Sequence, residues 1–555
     1  MNVNICSINS QYIHASSATW CLLAGIKEYG QSSIKARVTE GTINEPITKN
    51  IERVLAHEPK VIGFCCYIWN IEYVLHLVDK IKQMHPKIII VLGGPEVSYN
   101  AKEILQNKNI DFVCSGEGEK QFALLLNAIK NNTSFDIDGV CYKKDGKLIL
   151  SEPRVETDTP PSPYCDEYFE NLNGRISYIE TSRGCPFSCA FCLSGKCGSV
   201  RFFDIEKAKK DLIKLSNSGT KTIKFVDRTF NANEKRAIEI INFIISNYGV
   251  TIKKDVCFHF EIAGDILSEE MIRILNSAPL GLFQLEIGMQ SFNEQTLRSI
   301  NRRTDTNKLR ENITKLLAAR NIHIHIDLIA GLPLEDLESF KKSFNIGFNL
   351  FPDMLQLGFL KLLHGSPMRE NLEKYPCSFK ENPPYEIIET PYITAKELKG
   401  LKLTETELDR LWNSGRFRHT VRYLLPFFES AYDMFTKVGE YMSGFKEQIP
   451  LDEYTDLCFA FFKNVKGVDS KVLRDKMLLD RLATNSSGVI PKSLKVEDKL
   501  LKEVKKMLEN NPATSSKKGV RRSVALLYSE NKGVYADYKA KNPVTGEYPL
   551  QFFDI

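Results

Sequence analysis

"YIETSRGCPFSCAFCLSGKC", residues Tyr178–Cys197, sets three cysteines in a C-x3-C-x2-C array and places Cys197 after four further residues. Thiolates are soft ligands suited to iron–sulfur clusters, and the short spacing lets one loop reach several corners of a cubane. A four-iron cluster held this way leaves one iron without a cysteine, open to a small bidentate molecule if a pocket lies above it. The alternative is a structural zinc site through all four cysteines, with Cys197 as the fourth ligand. The array follows an apolar strand. Further strand candidates at "TIKFVD", "VCFHFEI", "FQLEIGM", "HIHIDLIAGLP" and "MLQLGFL" alternate with helical stretches such as "EKRAIEIINFIISNY". About six βα units between residues 175 and 370 make a partial or complete barrel, whose chemistry belongs at the carboxyl ends of its strands.

Outward from this centre, residues 1–150 read as strand–helix repeats. "NVNICSI", "KVIGFCCYI", "PKIIIVLGG" and "DFVC" are apolar runs separated by helices, the pattern of a parallel sheet covered on both faces. Ligands of such Rossmann-like sheets sit beyond the carboxyl ends of the strands, here the loops "NSQYIHASS", "YIWN", "GGPEVSYN" and "SGEGE". Residues 151–171 are proline-rich and polar and read as a linker. The barrel occupies 172–372, and 373–555 is mainly helical with a basic run at Lys517, Lys518, Arg521 and Arg522. The fold class is α/β with a helical carboxyl-terminal domain. In the 555 residues, 43% hydrophobic and 26% charged side chains exclude a disordered or fibrous chain. The net charge of +5 permits a polyanion but does not require one, and the 14 cysteines lack the spacing of a disulfide scaffold. With no basic start before an apolar run and no long apolar stretch, the reading is cytoplasmic, without signal peptide or membrane contact.

The cysteine array directly after a strand resembles the radical S-adenosylmethionine (SAM) superfamily, in which SAM chelates the fourth iron of a [4Fe–4S] cluster. The resemblance makes Cys185, Cys189 and Cys192 the iron ligands, Phe191 the aromatic before the last, and Cys197 a free thiol. It implies cleavage of SAM to a 5′-deoxyadenosyl radical. SAM contacts implied by matching segments are Glu261 after the third strand, Gly288, Gln290 and Ser291 of the "GxQS" segment, and Gly331 and Pro333 in "IDLIAGLP", which also holds Asp327 and Leu332. Asp227, Arg228 and Asn231 stand where many relatives carry "GGE". His323 and His325 alternate along the fifth strand, so one is expected to face the lumen.

A Rossmann-like domain ahead of such a barrel resembles the cobalamin-binding radical SAM class. Carried over, the cobalamin contacts are Asn9, Ser10, Tyr12, Tyr67, Trp69, Asn70, Gly93, Gly94, Gly116, Glu117 and Gly118, with Pro95 beside them. The glycines would let backbone approach the corrin, Asn70 would bond a propionamide, and Trp69 would lie over one ring face. The D-x-H-x-x-G segment that gives cobalt a histidine is absent, and His14 in "YIHASS" does not match it. The resemblance implies a methyltransferase that methylates an unactivated carbon, fed by a flavodoxin or ferredoxin, on an unnamed small molecule, RNA or peptide. Ring formation or rearrangement is the alternative enzyme. A non-enzymatic iron–sulfur RNA-binding or regulatory protein is the alternative of another class. The carboxyl-terminal domain is expected to cap the substrate, with Tyr375, Tyr385 and Tyr392 near its junction.

Overall fold

Apolar runs give the first sheet its parallel strands β1 (Asn2–Asn9), β3 (Val61–Cys65), β4 (Ile89–Gly93) and β5 (Phe112–Cys114), and the more polar β2 (Lys35–Thr42) pairs at the edge, in the order β2-β1-β3-β4-β5. The computed structural model describes residues 1–446, 448–495, 499–510 and 523–555, without the side chains of residues 197, 505 and 507–510. The basic run at Lys517–Arg522 and the thiol of Cys197 therefore lie outside the described residues. Helices α1 (Ser17–Tyr29), α2 (Ile47–Leu55), α3 (Ile71–Met84), α4 (Ala101–Ile104) and α5 (Gly118–Asn131) cover both faces. Val54, Val74, Leu77 and Ile81 pack with Ile62, Phe64, Ile90 and Leu92 on one side. Gly63 points the other way, and a Cβ there would stand 2.8 Å from the Phe122 ring of α5. Beyond β5 the sheet continues as an antiparallel hairpin, β6 (Val140–Lys144) and β7 (Lys147–Ile149), which the sequence reading did not contain. Its turn, Asp145-Gly146, has positive φ at both residues, the conformation that a tight right-twisted hairpin needs.

The linker is built into the fold. Arg154 donates its N–H to Ser115 and accepts from Glu117, and helix α6 (Asp166–Leu172) closes the segment. Next come β8 (Ser177–Ile179) and a short antiparallel pair, β9 (Ser182–Arg183) with β10 (Arg201–Phe202), which brackets the cysteine loop. Helix α7 (Ile205–Ser216), β11 (Thr222–Phe225), α8 (Glu234–Asn247) and β12 (Cys257–Ile262) follow, with β8, β11 and β12 parallel neighbours. Met1–Ala263 forms one compact unit together with Arg298–Arg303 and Leu360–Thr390. The last of these segments carries α13 (Pro367–Glu370) once the remaining barrel elements have passed.

The second unit is Gly264–Leu297, Thr304–Phe359 and Pro391–Ile555. Its barrel elements are α9 (Glu269–Asn276), β13 (Phe283–Gln290), α10 (Glu294–Ser299, ending in the first unit), α11 (Thr306–Ala319), β14 (His323–Ala330), α12 (Leu337–Phe348) and β15 (Met354–Phe359). Strands β13, β14 and β15 are parallel neighbours. The carboxyl-terminal helices include α14 (Ala395–Leu408), α15 (Arg418–Leu424), α16 (Ala431–Met442), α17 (Leu451–Phe462) and α18 (Ser470–Thr484). Phe344 and Phe348 of α12 meet Tyr432, Phe435 and Trp412 edge-on. A π-helical turn at Asp409–Asn413 brings Asn413 onto β15, where its amide accepts the Leu355 N–H at 2.9 Å and donates to the Leu355 carbonyl at 2.8 Å. His323 at the start of β14 meets the Val544 carbonyl at 3.0 Å. Apart from Lys402 over the Phe359 ring, these contacts run along the outside of α12, the edge of β15 and the start of β14. Within this unit they make a flank that covers the edge strand.

Asp480 of α18 shows how that flank is fastened. It is buried and accepts the His419 and Thr420 N–H groups and the Thr420 hydroxyl, capping α15 from outside the helix. Burial outweighs these donors and pushes its carboxyl up to about 7. A folded-state value raised above the unfolded one contributes stability that is complete at acid pH and is lost as pH rises through about 7. The denaturation midpoint is therefore expected to fall between pH 5 and pH 8, and Asp480→Asn should flatten that slope.

Candidate functional site

The cysteine loop is held from several directions inside the first unit. Asp227, just after β11, is buried and accepts the Thr181 N–H at 2.9 Å, the Thr181 hydroxyl at 2.7 Å and the Ser182 hydroxyl at 2.6 Å. Burial pushes its carboxyl up to about 6 against those three donors. The Ala190 N–H donates to Ile300, and the Ala190 carbonyl accepts from Met368 of α13. Each of the three thiols has its own polar neighbour. Cys185 lies 3.4 Å from the Thr229 hydroxyl, Cys189 accepts from Arg302 at 3.7 Å, and Cys192 accepts from the Ser194 N–H at 3.4 Å. Burial raises the Cys189 thiol, with Arg302 opposing, while the charges of Cys192 and Cys185 push the same way as burial. Three sulfurs within electrostatic reach of one another, each with a neighbouring donor, suit a cluster with three protein ligands.

A cavity of about 640 Å³ opens at the carboxyl ends of the first sheet. One side is Asn9, Ser10, Tyr67, Trp69, Gly93, Gly94, Gly116, Glu117 and Gly118; the other includes Tyr178, Glu180, Arg183 and Arg228. Residues Thr159–Tyr164 complete the wall, so the stretch read as a linker lines the site. Tyr67 and Trp69 stack with ring centres 4.4 Å apart, and Trp69 keeps 49% of its surface exposed. A flat, partly open aromatic platform over an apolar cavity suits a large planar cofactor. His14 also lines the cavity, its Nδ1 2.6 Å from the Tyr178 hydroxyl. Burial, then Lys224, holds its imidazole below the ordinary value.

Several expected contacts are corrected. Asn70 is fully buried and occupied by backbone: its amide donates to Ile8 and Cys65 and accepts from Tyr67, so no propionamide bond is left to it. Tyr12 is 64% exposed and stands outside the cavity lining, over the Arg175 guanidinium. Gly94 and Gly116 do line the cavity, but another cause requires them. Their φ values are +111° and +95°, and a Cβ would stand 2.5 Å from the Cys66 carbonyl oxygen and 2.1 Å from that of Arg154. Glu117 faces the cavity with its carboxylate paired to Arg183 and Arg201.

Among the SAM candidates, Ser291 is buried and donates to Glu335 at 2.5 Å, which removes it from ligand contact. Burial pushes Glu335 up to about 7 despite that bond. Gln290 ends β13 at φ +66°, and its Oε1 is buried with no hydrogen-bond partner among the described residues, an acceptor that fits a bound donor. Gly331 follows β14 at φ +88°, with Pro333 two residues on and half-buried, while Gly288 faces Asp327 across the two strands. Glu261 is the penultimate residue of β12, 4.0 Å from Arg228. Of the "FVDRTFN" segment, Asn231 is tied to the Ala263 backbone, and Arg228 reaches the cavity. His323 and His325 share one face of β14. Tyr375 donates to Ser299 and Tyr385 to Glu96, both buried structural contacts, and Tyr392 is exposed. Sequence reading missed Thr229, Arg302 and Arg183, whose partners Cys185, Cys189, Glu117 and Glu119 lie far along the chain and leave no local pattern; only Glu180 is near Arg183 in sequence.

Residues 10–126 match the B12 binding domain, residues 179–345 the radical SAM superfamily, and residues 373–526 a protein family of unknown function, DUF4080. The chain carries a B12 binding domain and a radical SAM domain. Its cofactors are those of its two matched domains, cobalamin, SAM and a [4Fe–4S] cluster. This radical SAM protein is similar to the cobalamin-dependent radical SAM methyltransferase TokK of Streptomyces tokunonensis, 26% identical over 303 residues, covering 51% of this chain and 44% of that one. It is also similar to an anaerobic magnesium-protoporphyrin IX monomethyl ester cyclase of Synechocystis, 27% identical over 305 residues, covering 50% and 57%. The chain spans about half the length of the curated relatives it matches. Its fold is similar to that of OxsB with aqua-cobalamin bound, at TM-score 0.61 and 15% identity over 87% of this chain and 79% of the other. The radical methyltransferase TsrM from Kitasatospora setae, with tryptophan and a SAM analogue bound, gives TM-score 0.57 at 15% identity over 68% and 77%.

Filling the cavity separates its two sides. Ala18→Phe, on the first turn of α1 in the cavity lining, should lower cobalamin retention on gel filtration at least tenfold, about 1.4 kcal/mol. Iron content should stay at the unmodified level.

Proposed function

We propose that this radical SAM protein is a cobalamin-dependent methyltransferase acting on an unactivated carbon. The observation that carries the reading is the cavity itself. Its walls come from the B12-binding sheet and from Tyr178, Glu180, Arg183 and Arg228 of the barrel segment that also bears the three cysteines. Cluster and SAM together would supply a carbon-centred radical, and cobalamin a transferable methyl group. Cys185, Cys189 and Cys192 would hold the cluster, with Thr229, Arg302 and Ser194 beside their sulfurs, where hydrogen bonds tune a cluster's potential. Asp227 fixes the entry to that loop by binding Thr181 and Ser182. Tyr67 and Trp69 present an aromatic surface that excludes water, and Arg228 adds a fixed positive charge to the opposite wall. A small flavoprotein or ferredoxin reductant is part of the reading. Similarity to a protoporphyrin cyclase supports ring formation as the second reading.

The test is product analysis of anaerobically reconstituted protein given cobalamin, SAM and reductant. A methyltransferase releases S-adenosylhomocysteine, at first in proportion to bound cobalamin, as well as 5′-deoxyadenosine. 5′-Deoxyadenosine without S-adenosylhomocysteine supports ring formation and rejects methyl transfer. Neither product rejects both.

A further inference from the structure

Among the described residues, one histidine lines the cavity at the carboxyl ends of the first sheet. It is His14, in the loop that leaves β1 and leads into α1, the place where ligands of such sheets sit. The backbone around it is pinned. Its own carbonyl accepts from Asn9 at 3.0 Å, the Ile13 carbonyl accepts from the Ile176 N–H at 2.9 Å, and the Ala15 N–H donates to Ile176 at 3.3 Å. A fixed stretch of chain therefore carries the imidazole to the cavity wall. Tyr178 of β8 then holds the ring, its hydroxyl 2.6 Å from Nδ1. Nε2 has no hydrogen bond among the described residues.

A metal ligand needs a lone pair, and the same lining offers few. Burial keeps its cysteines Cys21, Cys65 and Cys114 as thiols, pushing Cys65 up to about 12, whereas it is the thiolate that binds metal. Its glutamates, Glu117, Glu119 and Glu180, share the Arg183 guanidinium. Burial and the Lys224 charge both favour the neutral form of His14, which has one nitrogen lone pair to give. The tautomer decides where that pair lies. With the proton on Nδ1, the ring donates to the Tyr178 oxygen and Nε2 is open to a metal. Histidines bound to metals adopt this arrangement as a rule, the other ring N–H being given to a neighbouring oxygen that fixes tautomer and orientation.

We propose that His14 is a ligand, through Nε2, to the cobalt of bound cobalamin, with Tyr178 as the residue that positions its ring. The chain lacks the D-x-H-x-x-G segment, and the ligand comes instead from "YIHASS" in the loop before α1. The assignment rests on the B12 binding domain and its cavity, and it holds whichever reaction the enzyme serves.

The experiment is electron paramagnetic resonance of cob(II)alamin bound to the full, cluster-loaded chain, with the cluster kept in its oxidised, silent state. Two samples are compared, one with ordinary histidine and one with histidine labelled with nitrogen-15 in the ring. An axial nitrogen-14 splits each resolved cobalt line into a triplet, and nitrogen-15 splits it into a doublet. The expected result is a triplet that labelling converts to a doublet. A triplet that labelling leaves unchanged assigns the nitrogen to the benzimidazole of the cofactor itself and overturns the proposal. Lines without nitrogen splitting also overturn it, and leave His14 at most a hydrogen-bond donor to the corrin periphery. Protein that retains no cobalamin overturns it together with the cavity assignment. His14→Ala should abolish the splitting with iron content at the unmodified level. Tyr178→Phe should keep the labelled doublet while cobalamin retention falls several-fold, because the ring keeps its nitrogen and loses the group that orients it. The isotope comparison uses the unmodified chain, so a variant that fails to fold does not remove the test. A labelled doublet in protein that forms no S-adenosylhomocysteine supports the ligand and rejects the methyltransferase reading alone.

Discussion

Cys185→Ala, Cys189→Ala and Cys192→Ala are each expected to bring reductive SAM cleavage down to background, a fall on the order of 10³-fold or more, equivalent to about 4 kcal/mol of barrier. The chemistry requires electron delivery through an iron that SAM itself can reach, and a cluster with only two cysteines loses a second iron anchor. The three positions should not be equivalent in their other effects. Cys189 is buried and bonded to Arg302, so its loss also leaves that guanidinium beside a hole. Cys185 and Cys192 are less buried and should leave the fold intact. The check is iron content, the electron paramagnetic resonance signal of the reduced cluster with and without SAM, and 5′-deoxyadenosine yield on the same samples. Cys197→Ala, measured alongside, should retain its iron and its SAM-dependent spectral change. Loss of iron there with no spectral response to SAM would return the site to four-cysteine ligation.

Arg183→Met should cost the first unit about 3–5 kcal/mol. Arg183 is nearly buried and is paired with Glu117 at 2.9 Å, Glu119 at 2.8 Å and Glu180 at 2.7 Å, joining the sheet that carries α5 to the strand beside the cysteine loop. Methionine matches its volume but leaves three carboxylates with only Arg201, on Glu117, to offset them in a poorly solvated space. Burial pushes the Glu119 carboxyl up, yet the charge and hydrogen bonds of Arg183 outweigh it and hold the group below the ordinary carboxylate range. The pair's contribution is therefore present above the unfolded value and lost as pH falls through the folded one. In the variant the sign reverses: unrelieved carboxylates prefer their protons, so stability should decline as pH rises from 5 to 8. Urea denaturation at several pH values reads both effects. Cobalamin retention should fall in parallel, because Glu117 and Glu119 line the cavity. A variant with unchanged midpoint at pH 8 would show that the network is slack.

What could be read from the sequence was what depends on neighbours along the chain. The C-x3-C-x2-C spacing, the apolar runs of β1, β3 and β4, and the change to helical character beyond about residue 380 are local, and the structure contains each, the helices beginning at Ala395. The failures share one cause. Asn70 and Ser291 look like ligand contacts because they are polar and follow strands, but their partners are Ile8, Cys65 and Glu335, which are adjacent only after folding. Gly94 and Gly116 look like room for a cofactor, yet the crowding that requires them comes from Cys66 and Arg154 of the chain itself. The prolines of residues 159–164 suggest a free linker because proline breaks elements, although a stiff extended segment serves equally well as a wall. Thr229 and Arg302 reach their cysteines across 44 and 113 residues, beyond any spacing rule.

The amide of Asn413 has an implication for anyone who wishes to shorten or recombine this protein. An open barrel ends in a strand whose backbone groups would accept another strand as readily as a side chain, and here one carboxamide takes both the donor and the acceptor of Leu355. Residues 391–555 are consequently poor material for modular exchange. A truncation at residue 390 would expose a sticky margin and should drive copies together before any loss of catalysis could be measured. A chimera that replaces the extension must bring its own stopper for β15, and a single well-placed asparagine on a π-helical turn is the smallest one this fold provides.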